Sequence, residues 1–167
     1  MDSFIEKIVA KKKTFKDYLI SIGIVLAGTL LTLILGFIQF LQPFWFIITV
    51  AIIYFMYQLI TSSNIEYEYI VTNGDLDIDK IINKRRRKRI FSANCKEFEI
   101  LARLKGGLND RRIQNITNRI MAVSSIDSEN VFFAILNYKG EKTAVFFEPD
   151  ERMLNTFKLF IPRKIEA

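Results

Sequence analysis

The sequence predicts an α+β protein: an N-terminal two-helix transmembrane hairpin, then a mostly antiparallel β domain with a C-terminal amphipathic helix. Three observations carry this reading. Tyr18 to Ile65 holds no formal charge, although 25% of the chain is charged. Beyond it, two alternating runs flank Asn73-Gly74, the strongest short-range signal of a β-hairpin. Near the end, apolar residues recur at helical spacing after Glu148-Pro149-Asp150-Glu151. The domains follow as residues 1–17, 18–64 and 65–167.

Residues 1–17 read as a basic amphipathic juxtamembrane segment. Phe4, Ile5, Ile8 and Val9 fall on one helical face, with Phe15 nearby. Lys7, Lys11, Lys12, Lys13 and Lys16 occupy much of the rest. Such a stretch before a span predicts a helix lying on the inner membrane surface, an ordinary lysine stop being the alternative.

The first span covers about 18–41 and the second about 44–62. Tyr18 to Leu41 makes about 36 Å of helix, enough to cross a hydrocarbon core of about 30 Å with some tilt. Gln39, Gln42 and Pro43 then interrupt, and Pro43 suits the first position of a second helix. Trp45 stands where an interfacial aromatic belongs. A signal peptide would have a shorter apolar core and a small-residue cleavage site. A soluble helical hairpin would carry polar residues on its outer face, and these runs have almost none. Lysines precede the first span, cations follow the second, and the turn between is uncharged, so the positive-inside rule puts both termini in the cytoplasm of a multi-pass membrane protein. Gly28, Thr32 and Gly36 recur every four residues, and Gly23 pairs similarly with Ala27. Small residues at this spacing let helices approach closely, either within this hairpin or along a homodimer seam.

In the β domain, Glu66 to Thr72 and Asp75 to Ile82 pair across a two-residue turn, with Thr72 opposite Asp75. Tyr67, Tyr69 and Val71 then share the core face with Leu76 and Ile78. The other face carries Glu66, Glu68, Asp75, Asp77 and Asp79, and sets Glu68 against Asp79. Arg87 to Asn94 and Lys96 to Leu104 read as further strands. Residues 106–125 hold a short helix near Arg111 to Met121 or an irregular loop. Val131 to Tyr138 and Glu141 to Glu148 form a second hairpin around Lys139-Gly140, apolar on nearly every position and so buried. A helix over about 149–161 starts with Pro149 at its first position and acids in its first turn. Met153, Leu154, Phe157, Phe160 and Ile161 make its apolar stripe, and Pro162 ends it.

Antiparallel strands closed by one amphipathic C-terminal helix resemble the pleckstrin-homology-like (PH-like) superfold. Tyr67-Glu-Tyr-Ile-Val-Thr-Asn-Gly-Asp-Leu-Asp-Ile-Asp-Lys80, after two spans and a Lys-rich start, resembles an uncharacterised family of small two-span membrane proteins of Gram-positive bacteria. The resemblance covers most of the chain and is clearest from Tyr67 to Arg89. It implies a bacterial source and a cytosolic domain similar to bacterial PH-like domains. It carries over no catalytic residues, and fold alone does not give function. A lipid-binding PH domain usually puts its cations in the first hairpin turn, whereas here Asn73-Gly74 precedes them.

The chemistry the sequence excludes is considerable. There is no histidine and one cysteine, Cys95. A Ser-His-Asp triad, a histidine pH switch, an internal disulfide and a cysteine-cluster zinc site are therefore ruled out. The acids lack the density of a calcium loop, and Gly106-Gly107 lacks the Lys-Ser/Thr of a phosphate-binding loop. No catalytic residue, metal or cofactor is indicated. The conspicuous feature is Lys84, Arg85, Arg86, Arg87, Lys88 and Arg89. With Lys11, Lys12, Lys13 and Lys16 it reads as a surface for anionic lipid. The alternatives are internal pairing of Arg86 or Lys88 with Asp77 and Asp79, or a specific headgroup or protein partner. Nucleic acid is disfavoured because no aromatic stacking surface accompanies the charge. The sequence reading is a membrane-anchored, non-enzymatic domain docking on lipid or a partner. The alternative is an accessory subunit of a larger membrane complex, such as a transporter, held by its spans.

Overall fold

In a computed structural model, residues 4–105 and 107–166 are described. The chain divides into two compact units: Lys13–Asn64, and Met1–Lys12 together with Ile65–Ala167. The first is therefore an insertion in the second.

The inserted unit holds helices α1 (Phe15–Gly36) and α2 (Trp45–Thr61), joined through a 3-10 helix at Gln39–Phe44. Asp17 opens α1: its Oδ2 accepts the backbone N–H of Thr14 at 2.8 Å and the Thr14 hydroxyl at 2.8 Å, a capping box. Pro43 lies inside the 3-10 turn rather than at the first position of α2. Two stretches, Phe15–Gly36 and Gln39–Thr61, are long and apolar enough to cross a membrane. Only 6% of the first apolar window and 0% of the second is buried within the chain, unlike the core helices of a soluble protein.

The β unit begins with strand β1 (Phe4–Ala10), which pairs antiparallel with β2 (Ile65–Thr72). This corrects the expected surface helix at the N-terminus. Ile5 and Lys7 are half-buried and Val9 is buried, while Phe4, Glu6 and Ile8 are exposed, which is the period of a strand. Without β1 the edge of β2 would be an open row of peptide groups, and pairing it overrides the helical spacing of the apolar residues. Strands β3 (Asp75–Ile82) and β4 (Arg86–Asn94) complete a sheet in the order β1-β2-β3-β4. The predicted register holds, with Thr72 opposite Asp75 and Glu68 opposite Asp79. Asn73 and Gly74 take φ of 50° and 89°, the left-handed pair of a type I′ turn. Since β1 comes first, this turn is the second connection of the sheet.

The second sheet has the order β6-β8-β7-β5-β9, from β5 (Ile100–Arg103), β6 (Asn118–Met121), β7 (Phe132–Tyr138), β8 (Glu141–Phe147) and β9 (Ile165–Glu166). The strand expected from Lys96 starts late, because the Asn94 side chain accepts the Lys96 N–H at 3.0 Å and caps a 3-10 turn at Cys95–Glu97. The segment near Arg111 to Met121 is no helix; it forms turns leading into β6. It covers the second sheet, with Ile113 and Ile116 packed in one cluster with Phe133 and Phe146. The opposite face of the same sheet, with Phe132, Ala134 and Leu136, meets Tyr69, Ile78 and Phe91 of the first sheet. This double burial explains the continuous apolar character of β7 and β8.

Helix α3 (Glu151–Phe160) closes the core with Met153 and Phe157 buried. Its N-cap is Asp150, whose Oδ1 accepts the Met153 N–H at 2.8 Å, so Pro149 lies before the cap rather than within the helix. Burial alone would raise the Asp150 pKa, but the Met153 N–H and Arg152 hold it below the usual carboxylate range. Cys95 is buried, and burial pushes its thiol up, as expected of a packed side chain and not of a nucleophile.

Candidate functional site

One face of the first sheet collects its acids. The register aligns Glu6 of β1, Glu66 and Glu68 of β2, and Asp75, Asp77 and Asp79 of β3 on the face turned away from the core. Glu68 is only 1% exposed and Asp79 4%. Opposed like charges at this depth destabilise a sheet unless cations reach them. Arg87 and Arg89 do. Arg87 Nη2 donates to Glu68 Oε1 at 2.9 Å. Arg89 spans two acids, with Nε to Asp79 Oδ1 at 2.7 Å and Nη1 to Asp77 Oδ2 at 2.7 Å.

A straight strand would place Arg86 and Lys88 there, which is the internal pairing the sequence left open as an alternative to lipid contact. The register of β4 shifts between Ile78 and Asp79, with Phe91 opposite Ile78 but Arg89 opposite Asp79. Ile90 is the extra residue of this bulge. The bulge inverts the alternation, so Phe91 enters the core while Arg89 and Arg87 turn to the acids. Arg86 and Lys88 fall on the opposite parity, facing Ile82 and Lys80 across the ladder.

Compensation at Glu68 is incomplete. Its Oε2 is buried without a hydrogen-bond partner among the described residues. Burial raises the Glu68 pKa, the neighbouring Glu6 and Asp79 add to the rise, and Arg87 opposes it. Arg89, in contrast, is held further protonated by its hydrogen bond to Asp79.

The ten predicted surface cations separate into groups. Arg87 and Arg89 are bound to acids as above. Lys84, Arg85, Arg86 and Lys88 make no ion pair among the described residues and are all exposed. Lys11 and Lys12 are exposed, and their backbone N–H groups donate to Ile65 and Ser124 at 2.9 Å each. Lys13 and Lys16 belong to the inserted unit, Lys16 in the first turn of α1. Because Ala10 pairs with Glu66, and Ile65 with Ile82, residues 11, 65 and the turn 83–85 share one end of the first sheet. That turn has Asn83 and Lys84 at φ of 51° and 54°. On the acidic side of this end lies a groove of about 480 Å³, lined by Ile8, Glu66, Ile81, Lys84, Arg85 and Arg87.

Within the helical unit, the small-residue positions divide. A Cβ on Gly28 would lie 2.0 Å from Met56 Sδ, and one on Gly36 would lie 2.9 Å from Trp45 Nε1. Both glycines are needed for packing inside this hairpin. Thr32 bonds back to Gly28 O at 2.9 Å. Among the described residues, nothing outside its own helix backbone lies within 4 Å of the Gly23 Cβ position. Ala27 borders an open apolar groove of about 500 Å³ between α1 and α2.

Two sheets with a shared core, closed by a C-terminal helix and carrying two apolar helices near the N-terminus, define a PH-like domain protein. The chain belongs to the family described as bacterial PH-like domain (DUF6106), whose model matches residues 1–167 and so includes the inserted helices. No curated protein and no solved structure is detectably similar to it.

Proposed function

We propose that this protein is a membrane-anchored, non-enzymatic PH-like domain of the bacterial cytoplasmic membrane, which docks on anionic lipid through the basic end of its first sheet. One observation carries the reading: the apolar hairpin is inserted at the sheet end that presents Lys11, Lys12, Lys84 and Arg85. Only residues 11–14 and 62–64 separate these strands from α1 and α2. A domain on two such short tethers keeps that end near the bilayer surface, where each cation contributes about 1 kcal/mol toward anionic lipid. Cations on both flanks and none in the turn between helices support a cytoplasmic domain and cytoplasmic termini.

The test uses the full chain in nanodiscs, with and without phosphatidylglycerol, followed by hydrogen exchange of peptides covering residues 83–89. Anionic lipid should slow exchange there, and high salt should reverse the effect. Equal exchange in both lipid mixtures would remove the docking claim.

A second reading, an accessory subunit held by its spans, is favoured by the open groove beside Ala27, which a further transmembrane helix would fill. Gly23→Leu is the discriminating change, since a Cβ there would meet nothing within 4 Å among the described residues. Loss of a co-purifying membrane partner with lipid docking intact would support this second reading.

A further inference from the structure

We propose that the groove bordered by Ile8, Glu66, Ile81, Lys84, Arg85 and Arg87 is a specific site for a glycerophospholipid headgroup with one phosphodiester and a hydrogen-bond donor beyond it. This rests on the docking reading above and gives it a defined ligand. The argument begins with charge. Lys84 and Arg85 have no ion pair among the described residues, whereas Arg87 is already engaged by the buried Glu68. Counting Glu66 against the two free cations leaves one net positive charge at the rim. A phosphodiester monoanion balances it, and a phosphomonoester dianion does not.

Shape and polarity agree. At about 480 Å³ the groove falls within the ~300–1,000 Å³ range of small-ligand clefts. Ile8 and Ile81 supply an apolar wall suited to the glycerol backbone of a lipid. Glu66 carries only acceptor oxygens when ionised, so it favours a headgroup that donates, either a hydroxyl or an ammonium. The remaining N–H groups of Arg87 are available for the phosphate oxygens, since its bond to Glu68 uses Nη2 alone. Glu68 in turn fixes that guanidinium in place.

Diffuse electrostatics and a defined site are separable because the basic run occupies both faces of the sheet. Arg86 and Lys88 have the parity opposite to the groove. Replacing two cations on either face changes net charge equally. Position 84 also allows a clean removal of its cation: with φ of 54° there, glycine is at least as well accommodated as lysine.

The experiment compares the full chain with Lys84→Gly/Arg85→Gln and Arg86→Gln/Lys88→Gln variants, each in nanodiscs of mixed phosphatidylcholine, phosphatidylglycerol, phosphatidylethanolamine and phosphatidic acid. Native mass spectrometry after release counts the lipids retained. The wild type should keep one phosphatidylglycerol or phosphatidylethanolamine per chain, and which of the two is kept identifies the donor. Lys84→Gly/Arg85→Gln should lose about 25-fold of that retention, at about fivefold for each cation. Arg86→Gln/Lys88→Gln should retain it, and Glu66→Gln should admit phosphatidic acid. Free inorganic phosphate in excess should not displace the lipid; displacement would make the site one for soluble phosphate and overturn the lipid assignment. Equal loss in both double variants would overturn the groove but leave docking standing. No retention by the wild type would overturn the groove as well, and hydrogen exchange at 83–89 would then decide docking separately.

Discussion

Glu68 is the residue where fold and charge meet most sharply. It lies opposite Asp79 in the ladder, is 1% exposed, and has one oxygen without a partner among the described residues. Its raised pKa means the folded chain binds a proton more tightly than the unfolded chain does. That contribution to stability is complete below the ordinary value of 4.5 and is lost as pH rises through the folded value. Asp110 and Asp150 act in the opposite sense, but only as pH falls below 3.8. Arg112 holds Asp110 down, chiefly by its hydrogen bonds. Thermal melts of the full chain in nanodiscs should therefore show stability declining from pH 4.5 upward. Glu68→Gln should flatten that decline and raise stability at pH 7 by about 1 kcal/mol, since the amide keeps an oxygen for Arg87 and brings a donor to the neighbouring Glu6 carboxylate. A steeper decline in the variant would contradict this account. The opposition of Glu68 and Asp79 was legible in the sequence, because Asn73-Gly74 fixes the register. The identity of the arginines that answer it was not. One bulged residue, Ile90, reverses the faces of everything before it in β4, and the consecutive pair Ile90-Phe91 was its only sequence trace.

At the scale of elements, local pattern and tertiary pairing diverge twice. The N-terminal apolar residues fit a helix face as well as they fit a strand, and only the free edge of β2 decides for β1. The segment near Arg111 to Met121 has weak periodicity of either kind, and its structure is set by the need to cover Phe133 and Phe146. Elements with a strong local signal needed no such help: the two hairpins, the two apolar helices and α3 were all legible. The helices also separate their glycines by role. Gly28→Leu should loosen the α1–α2 pair by about 1–3 kcal/mol, because the added side chain must displace Met56. Gly23→Leu should leave the hairpin unchanged. Unfolding of both variants in detergent, followed by helical circular dichroism, measures the difference; equal midpoints would contradict the packing described.

At the scale of the whole molecule, the governing feature is the insertion. Reading the chain as membrane hairpin first and domain second is natural, since the apolar run divides it visibly. The sheet nevertheless uses residues from both sides of that run. Lys11 N–H donates to Ile65 O at 2.9 Å, so the two points where the hairpin leaves and returns are neighbours in the ladder. An apolar helical hairpin thus occupies the place of a β-turn, and the basic turn 83–85 falls at the same end by register. The basic turn and the apolar hairpin are linked through strand pairing that no local pattern announces.

This organisation is tested most directly by removing the insertion. In one variant, residues 13–64 are replaced by a short Asn-Gly-containing turn joining Lys12 to Ile65; in the other, only 65–167 is kept. The joined chain should be soluble and melt in a single cooperative transition. The shorter chain, lacking β1, should expose the β2 edge and lose Val9 from the core, and should aggregate or melt several degrees lower. Equal stability of the two, with residues 4–10 of the joined chain exchanging their amide protons freely, would show that the N-terminal strand is not part of the domain and would contradict the account.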